Sequence, residues 1–334
     1  MVILVTVPLL LLLASCASSA ATRTDQSTSA SQAAASNAPA AAATSTAAAD
    51  PAAPPRRAKS VRSDPAADAK AFAEAIKRGD KAWQAGEVDR AVYYYVLALE
   101  HSPQDAPTLA KIGAIKQQLG QTVLAEKAFE LAHSAQPDEP RIAERLAQLY
   151  LQQDKVDAAA RIYGEVLEQY PQRSRALDGM GDVCVLRGEF PQAIDYFDRA
   201  LQADQPDAAS ILTHRGYAKL RVLDLAGAES DLRAALATSS RADAWRYLAD
   251  LQVRQHDNAG AYSSLTKVMD SAHAYNEIGL VLLNMNSFGD SYSYFTKAIS
   301  ASATWYDEAQ RNLELAEEHL HQSADAGSAP MTAR

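Results

Sequence analysis

The sequence predicts an all-α protein, a superhelical stack of about seven helical hairpins closed by one more C-terminal helix. Three observations carry that prediction. A register of small and aromatic residues recurs seven times between residues 72 and 301. Gly86, Gly120 and Gly188 fall at one place in that register, where a turn between paired helices belongs. Pro103, Pro137 and Pro171 each close a unit, and Pro206 does so one residue late.

The chain opens on a nearly unbroken apolar run, Val2 to Ala14, interrupted by Thr6 and Pro8. A run of 13 residues is too short to cross about 30 Å of hydrocarbon as a finished helix. It reads as the apolar region of a secretory leader, although no Lys or Arg precedes it. The run ends in Leu13-Ala14-Ser15-Cys16, which resembles the bacterial lipoprotein box. The resemblance implies cleavage before Cys16, so that residues 1–15 are removed, and acylation of Cys16 as the membrane anchor. Several acyl chains on one residue hold far more firmly than one. Ala17 and Ser18 follow the cysteine with no Asp, which by the same resemblance favours the outer membrane, facing the periplasm.

Residues 16–71 then read as a disordered linker. After Cys16 the segment is mostly Ala, Ser, Thr, Pro, Gln and Asp, with Val61 as its only large aliphatic residue. Such a composition buries too little apolar surface to offset the entropy of ordering. Arg56, Arg57, Lys59 and Arg62 form a small basic cluster within it. Residues 1–70 carry six basic and four acidic groups, against 26 basic and 37 acidic in the remainder. The overall charge of -9 thus joins a mildly positive leader and linker to a distinctly acidic array. That balance argues against broad nucleic-acid binding. Two cysteines exclude a disulfide-stapled fold and a thiolate-rich metal site.

Each unit of the array has Gly or Ala, a small residue twelve further on, an aromatic residue or Leu four beyond that, and a small residue three later. The units read Gly79-Ala91-Tyr95-Ala98, Gly113-Ala125-Phe129-Ala132 and Ala147-Ala159-Tyr163-Val166. They continue as Gly181-Ala193-Phe197-Ala200, Gly216-Ala228-Leu232-Ala235, Ala249-Ala261-Leu265-Val268 and Gly279-Ser291-Phe295-Ala298. The second residues of successive units are 34, 34, 34, 35, 33 and 30 apart. This register is similar to the tetratricopeptide repeat, whose positions 8, 20, 24 and 27 it fills. The small residues let two helices approach, and the larger side chain fills the space beyond them. No hairpin buries its apolar face alone, so neighbours stack. Leu313, Ala316 and Leu320 recur at helical spacing, so residues 302–320 read as a capping helix and residues 321–334 as a disordered tail.

No catalytic, cofactor or metal constellation emerges. The seven histidines form no compact ligand motif. They scatter over turns between repeats and helix ends. Gly179-Met180-Gly181 begins like a dinucleotide fingerprint, but Cys184 stands where its third glycine belongs and no strand precedes it. Ser264 and Lys267 match Ser-x-x-Lys without its companion motifs. Both are expected late in the second helix of the sixth repeat, on a solvated face. Cys184 is expected in the core as a free thiol.

The resemblance to the repeat implies that positions 2, 5, 9, 12 and 13 of each first helix line a concave groove. Arg141, Glu144, Arg175, Asp178, Asp182, Tyr217, Arg246 and Asp250 fall there. The asparagines that clamp a partner's C-terminal carboxylate in some such proteins are absent from position 9. Two readings of the groove stand side by side. Its mixed charges and Tyr217 suit an extended or helical segment of a protein partner. Alternatively, Asp and Arg pair across adjacent helices and simply solvate the face. A leader, a lipid-box cysteine, a linker and repeats to the C-terminus most resemble the tetratricopeptide lipoprotein of tight-adherence (Tad/Flp) pilus assembly. The implied function is a lipid-anchored, non-enzymatic scaffold in an envelope complex, without cofactor or small-molecule substrate. Pilotins, the outer-membrane protein insertion complex and regulators of cell-wall hydrolases contain similar lipoproteins.

Overall fold

A computed structural model describes residues 65–203 and 207–328. The leader, Cys16, most of the linker, Pro206 and the tail from residue 329 lie outside the described residues. Fifteen helices are described, and none is long and apolar enough to cross a membrane. Fourteen pair into seven antiparallel hairpins. The first four are α1 (Pro65–Gln84) with α2 (Val88–His101), α3 (Ala106–Gln118) with α4 (Thr122–Ala135), α5 (Pro140–Gln152) with α6 (Val156–Gln169), and α7 (Ser174–Leu186) with α8 (Phe190–Gln202). The last three are α9 (Ala208–Arg221) with α10 (Leu225–Thr238), α11 (Ala242–Arg254) with α12 (Asn258–Leu265), and α13 (Ser271–Asn284) with α14 (Phe288–Ala301). The final helix, α15 (Asp307–Ser328), packs on α14 and α13. Each hairpin touches the next, and the first helices of neighbouring hairpins meet directly, as α5 with α7, α7 with α9, α9 with α11 and α11 with α13. The architecture is the all-α hairpin superhelix that the register predicts.

The register explains the packing. Position 24 supplies fully buried side chains, including Tyr95, Phe129, Phe197, Leu232 and Phe295. Position 20 is completely buried in every hairpin, as Ala91, Ala125, Ala159, Ala193, Ala228, Ala261 and Ser291. A Cβ added at Gly181 would stand 2.3 Å from the Phe197 ring, and one at Gly279 would stand 2.5 Å from Phe295. The ring at position 24 therefore occupies the space a side chain at position 8 would need. Gly179 has its own explanation: a Cβ there would fall 2.2 Å from the Tyr163 ring of the preceding hairpin.

The turns repeat as faithfully as the core. Position 15 lies in the left-handed region throughout, in Gly86, Gly120 and Gly188 but also in Asp154, Leu223, His256 and Asn286, at φ between 60° and 76°. Carboxylate caps start several first helices. Asp105 accepts from the Thr108 amide at 3.0 Å, and Asp270 from that of His273 at 3.0 Å.

Three boundaries differ from expectation. The first helix begins at Pro65, ahead of residue 72. A proline at a helix start has no amide to satisfy and a preset φ, and Asp68 in the first turn suits the helix dipole. The capping helix continues past residue 320 to Ser328. In the sixth hairpin α12 stops at Leu265, so Lys267 lies in the turn beyond it. Ser264 is buried and donates to Gln252 Oε1 at 2.7 Å; it is not on a solvated face. Cys184 is buried and free, and burial pushes its thiol pKa up.

Candidate functional site on the inner face of repeats four to seven

The first helices bring their groove positions onto one side of the stack, and the roles there divide. Glu144, expected to face a partner, is 1% exposed. Arg173 Nε and Nη2 donate to its two carboxylate oxygens at 2.6 and 3.2 Å. This is an internal two-point pair that seats α7 on α5, and it removes Glu144 from the accessible face. Arg141 and Arg175 are exposed. Asp250 accepts from Arg254 at 2.8 Å. Arg246 stands 3.7 Å from Glu277, and its buried Nε has no partner among the described residues. Burial raises the carboxyl pKa of Asp250 and of Glu277, against the pull of Arg254 and Arg246 respectively.

Tyr217 is the centre of an aromatic cluster. Its ring lies 4.7 Å from Tyr247 and 6.5 Å from Phe190, with the Arg221 guanidinium over Phe190 at 5.3 Å. Beside it, His214 Nδ1 sits between two carboxylates, 3.0 Å from Asp178 Oδ1 and 3.2 Å from Asp182 Oδ1. Burial alone would lower the pKa of His214, but Asp182 and Asp178 outweigh it and hold the imidazolium up to about 10. Arg241 completes the neighbourhood through a two-point pair to Asp243 at 2.9 and 3.2 Å.

His214 is therefore neither at a turn nor at a helix end. It occupies position 6 of the fifth repeat, within α9, over positions 5 and 9 of the fourth. The same relation recurs along the array. Lys111 at position 6 donates to Asp80 at position 9 of the preceding repeat, at 2.6 Å. Tyr247 at position 6 packs its ring, tilted by 36°, against Tyr217 at position 9. Glu277 at position 6 faces Arg246 at position 5. The groove set 2, 5, 9, 12 and 13 misses this partner position. Aligning position 6 of each repeat with positions 5 and 9 of the previous one is the signal that finds these pairs.

An array of hairpins with this register, turn and inner face defines a tetratricopeptide-repeat solenoid. A family model described as Tetratricopeptide repeat matches residues 116–173 and 144–208, and a second of the same description matches 272–304. Those segments are matched as tetratricopeptide repeats, and the described helices as a whole have the fold of a tetratricopeptide-repeat solenoid. No curated protein matches it. Among solved structures, it is similar to a tetratricopeptide repeat protein from Parabacteroides merdae at 19% identity and a TM-score of 0.57, covering 74% of this chain and 99% of that one. Likeness to pilF of Pseudomonas aeruginosa is 19% in identity with a TM-score of 0.51, over 69% and 98% of the two chains. The Cut9-Hcn1 hetero-tetramer structure matches at 15% identity and a TM-score of 0.54, over 77% of this chain and 49% of that one. At these identities the likeness is one of fold.

Proposed function

We propose that the protein is a lipid-anchored scaffold of the bacterial envelope, held to the periplasmic face of the outer membrane by acylated Cys16. Its inner face captures a protein partner during assembly of a pilus or secretion machine. The observation that carries the binding role is the inner face of repeats four to seven. There the Tyr217–Tyr247 pair lies beside Arg246, whose Nε has no acceptor among the described residues, and Arg175 is exposed on a first helix of the same face. An aromatic anchor flanked by unspent donors suits a partner segment carrying an apolar residue and a carboxylate or carbonyl. The leader, the Leu13–Cys16 box and the linker support the anchor, because confinement to a membrane raises the effective concentration of a partner there. Pilus or secretion assembly rests on this layout.

Two measurements test the reading. Replacing Cys16 with Ala abolishes metabolic palmitate labelling; undiminished label refutes the anchor. The pair Arg175→Glu with Tyr217→Ala weakens crosslinking of the anchored protein to its envelope partner while helical circular dichroism is kept. Unchanged crosslinking places the partner elsewhere on the molecule.

A further inference from the structure

We propose that Asp178, Asp182 and His214 form a divalent metal site of the zinc class, bridging the fourth and fifth hairpins on the inner face. One ligand atom from each residue lies within 4.8 Å of the other two. Donors on bonds of about 2.1 Å stand about 3.0 Å apart when at right angles and about 3.4 Å apart when tetrahedral. The His214 Nδ1 distances of 3.0 and 3.2 Å to the two carboxylate oxygens already match that spacing.

The donor set is selective. Imidazole nitrogen favours zinc and its neighbours over magnesium and calcium, which prefer oxygen alone. The helices fix the geometry: Asp178 and Asp182 are one turn apart on α7, so both carboxylates project toward α9. Charge balance points the same way. Among the described residues, the ion-pair partner of both carboxylates is His214, while Arg241 is committed to Asp243. Two carboxylates thus face one imidazole, and the Arg241 guanidinium acts on them only at longer range. A divalent ion neutralises both carboxylates and takes the imidazole as a neutral third donor, displacing its proton to solvent. The three side chains are 19–36% exposed, which leaves room for water to complete the coordination shell.

The experiment uses the full chain without an affinity tag, stripped with chelator and titrated with ZnCl2 by calorimetry in parallel with a thermal melt. The expected result is one saturable zinc site with proton release and a raised melting midpoint. Affinity falls at least about tenfold in His214→Ala and in Asp182→Asn, and neither variant shows the zinc-induced rise. MgCl2 produces neither effect. Equal zinc affinity in wild type and both variants overturns the proposal, as does wild type that binds no zinc. Should His214→Ala lose its helical signal, Asp178→Asn keeps the Asp182–His214 pair and is held to the same expectation. The readouts involve no partner, so they stand or fall independently of the scaffold reading.

Discussion

At position 15 of each hairpin the chain turns back through left-handed backbone, and four of the seven residues there carry a side chain. For Leu223 this is a steric cost, because an L-residue loses about 1–2 kcal/mol in that region. Its side chain is 68% exposed and offers little packing in return. Leu223→Gly is expected to raise stability by about 1 kcal/mol in urea denaturation, after allowing for the greater freedom of glycine in the unfolded chain. A lower midpoint would mean that the Leu223 side chain matters more than its backbone. Gly86, Gly120 and Gly188 made the turn legible in the sequence. Asp154, Leu223, His256 and Asn286 hid it, because the backbone requirement persists where the favoured residue does not. Glu144 illustrates the opposite failure. Its repeat position was legible, but whether that position faces solvent or Arg173 depends on a neighbouring hairpin 29 residues away.

Among the elements, α15 shows how the stack ends. Ala309 and Ala316 are fully buried on one side of it, while Arg311, Glu314 and Glu317 are exposed on the other. Side chains at its start and middle tie it to α13. Asn312 donates to Asn276 Oδ1 at 3.0 Å, and Asn276 donates to Glu308 Oε1 at 3.3 Å. His319 stacks on Phe288 of α14 at 4.9 Å, so its role is structural. Ala316→Asp is expected to cost at least about 2 kcal/mol by burying an unpaired carboxylate. Hydrogen exchange in α13 and α14 should accelerate as the cap detaches; unchanged exchange would mean that the last hairpin stands without its cover. Helical spacing in the sequence indicated the cap but not its length, since the polar residues beyond 320 carry no apolar signal. The early stop of α12 was equally hidden: Val268 continues the register, although the helix ends at Leu265.

Across the whole molecule, contacts run from each hairpin to its neighbours, so disturbances should remain local. Gly181→Val would drive a side chain into the Phe197 ring, at an overpacking cost of about 1–3 kcal/mol. Hydrogen exchange should rise in α7, α8 and α9 and stay unchanged in α1 and α2. A uniform rise along the chain would show instead that the array unfolds as one unit. The period, the core positions and the hairpin order were legible because each repeat restates them. The junctions were not, since each is made differently by residues one repeat apart. Lys111 meets Asp80, His214 meets Asp178 and Asp182, Tyr247 meets Tyr217, and Glu277 meets Arg246. That variety bears on fidelity of assembly. Hairpins sharing one core register could dock out of sequence or exchange between chains during folding. Were the seventh hairpin to settle on the fourth, Glu277 would confront Asp178 and Asp182, acid against acid. Differing partners at these four junctions thus favour the native order of hairpins over that exchange.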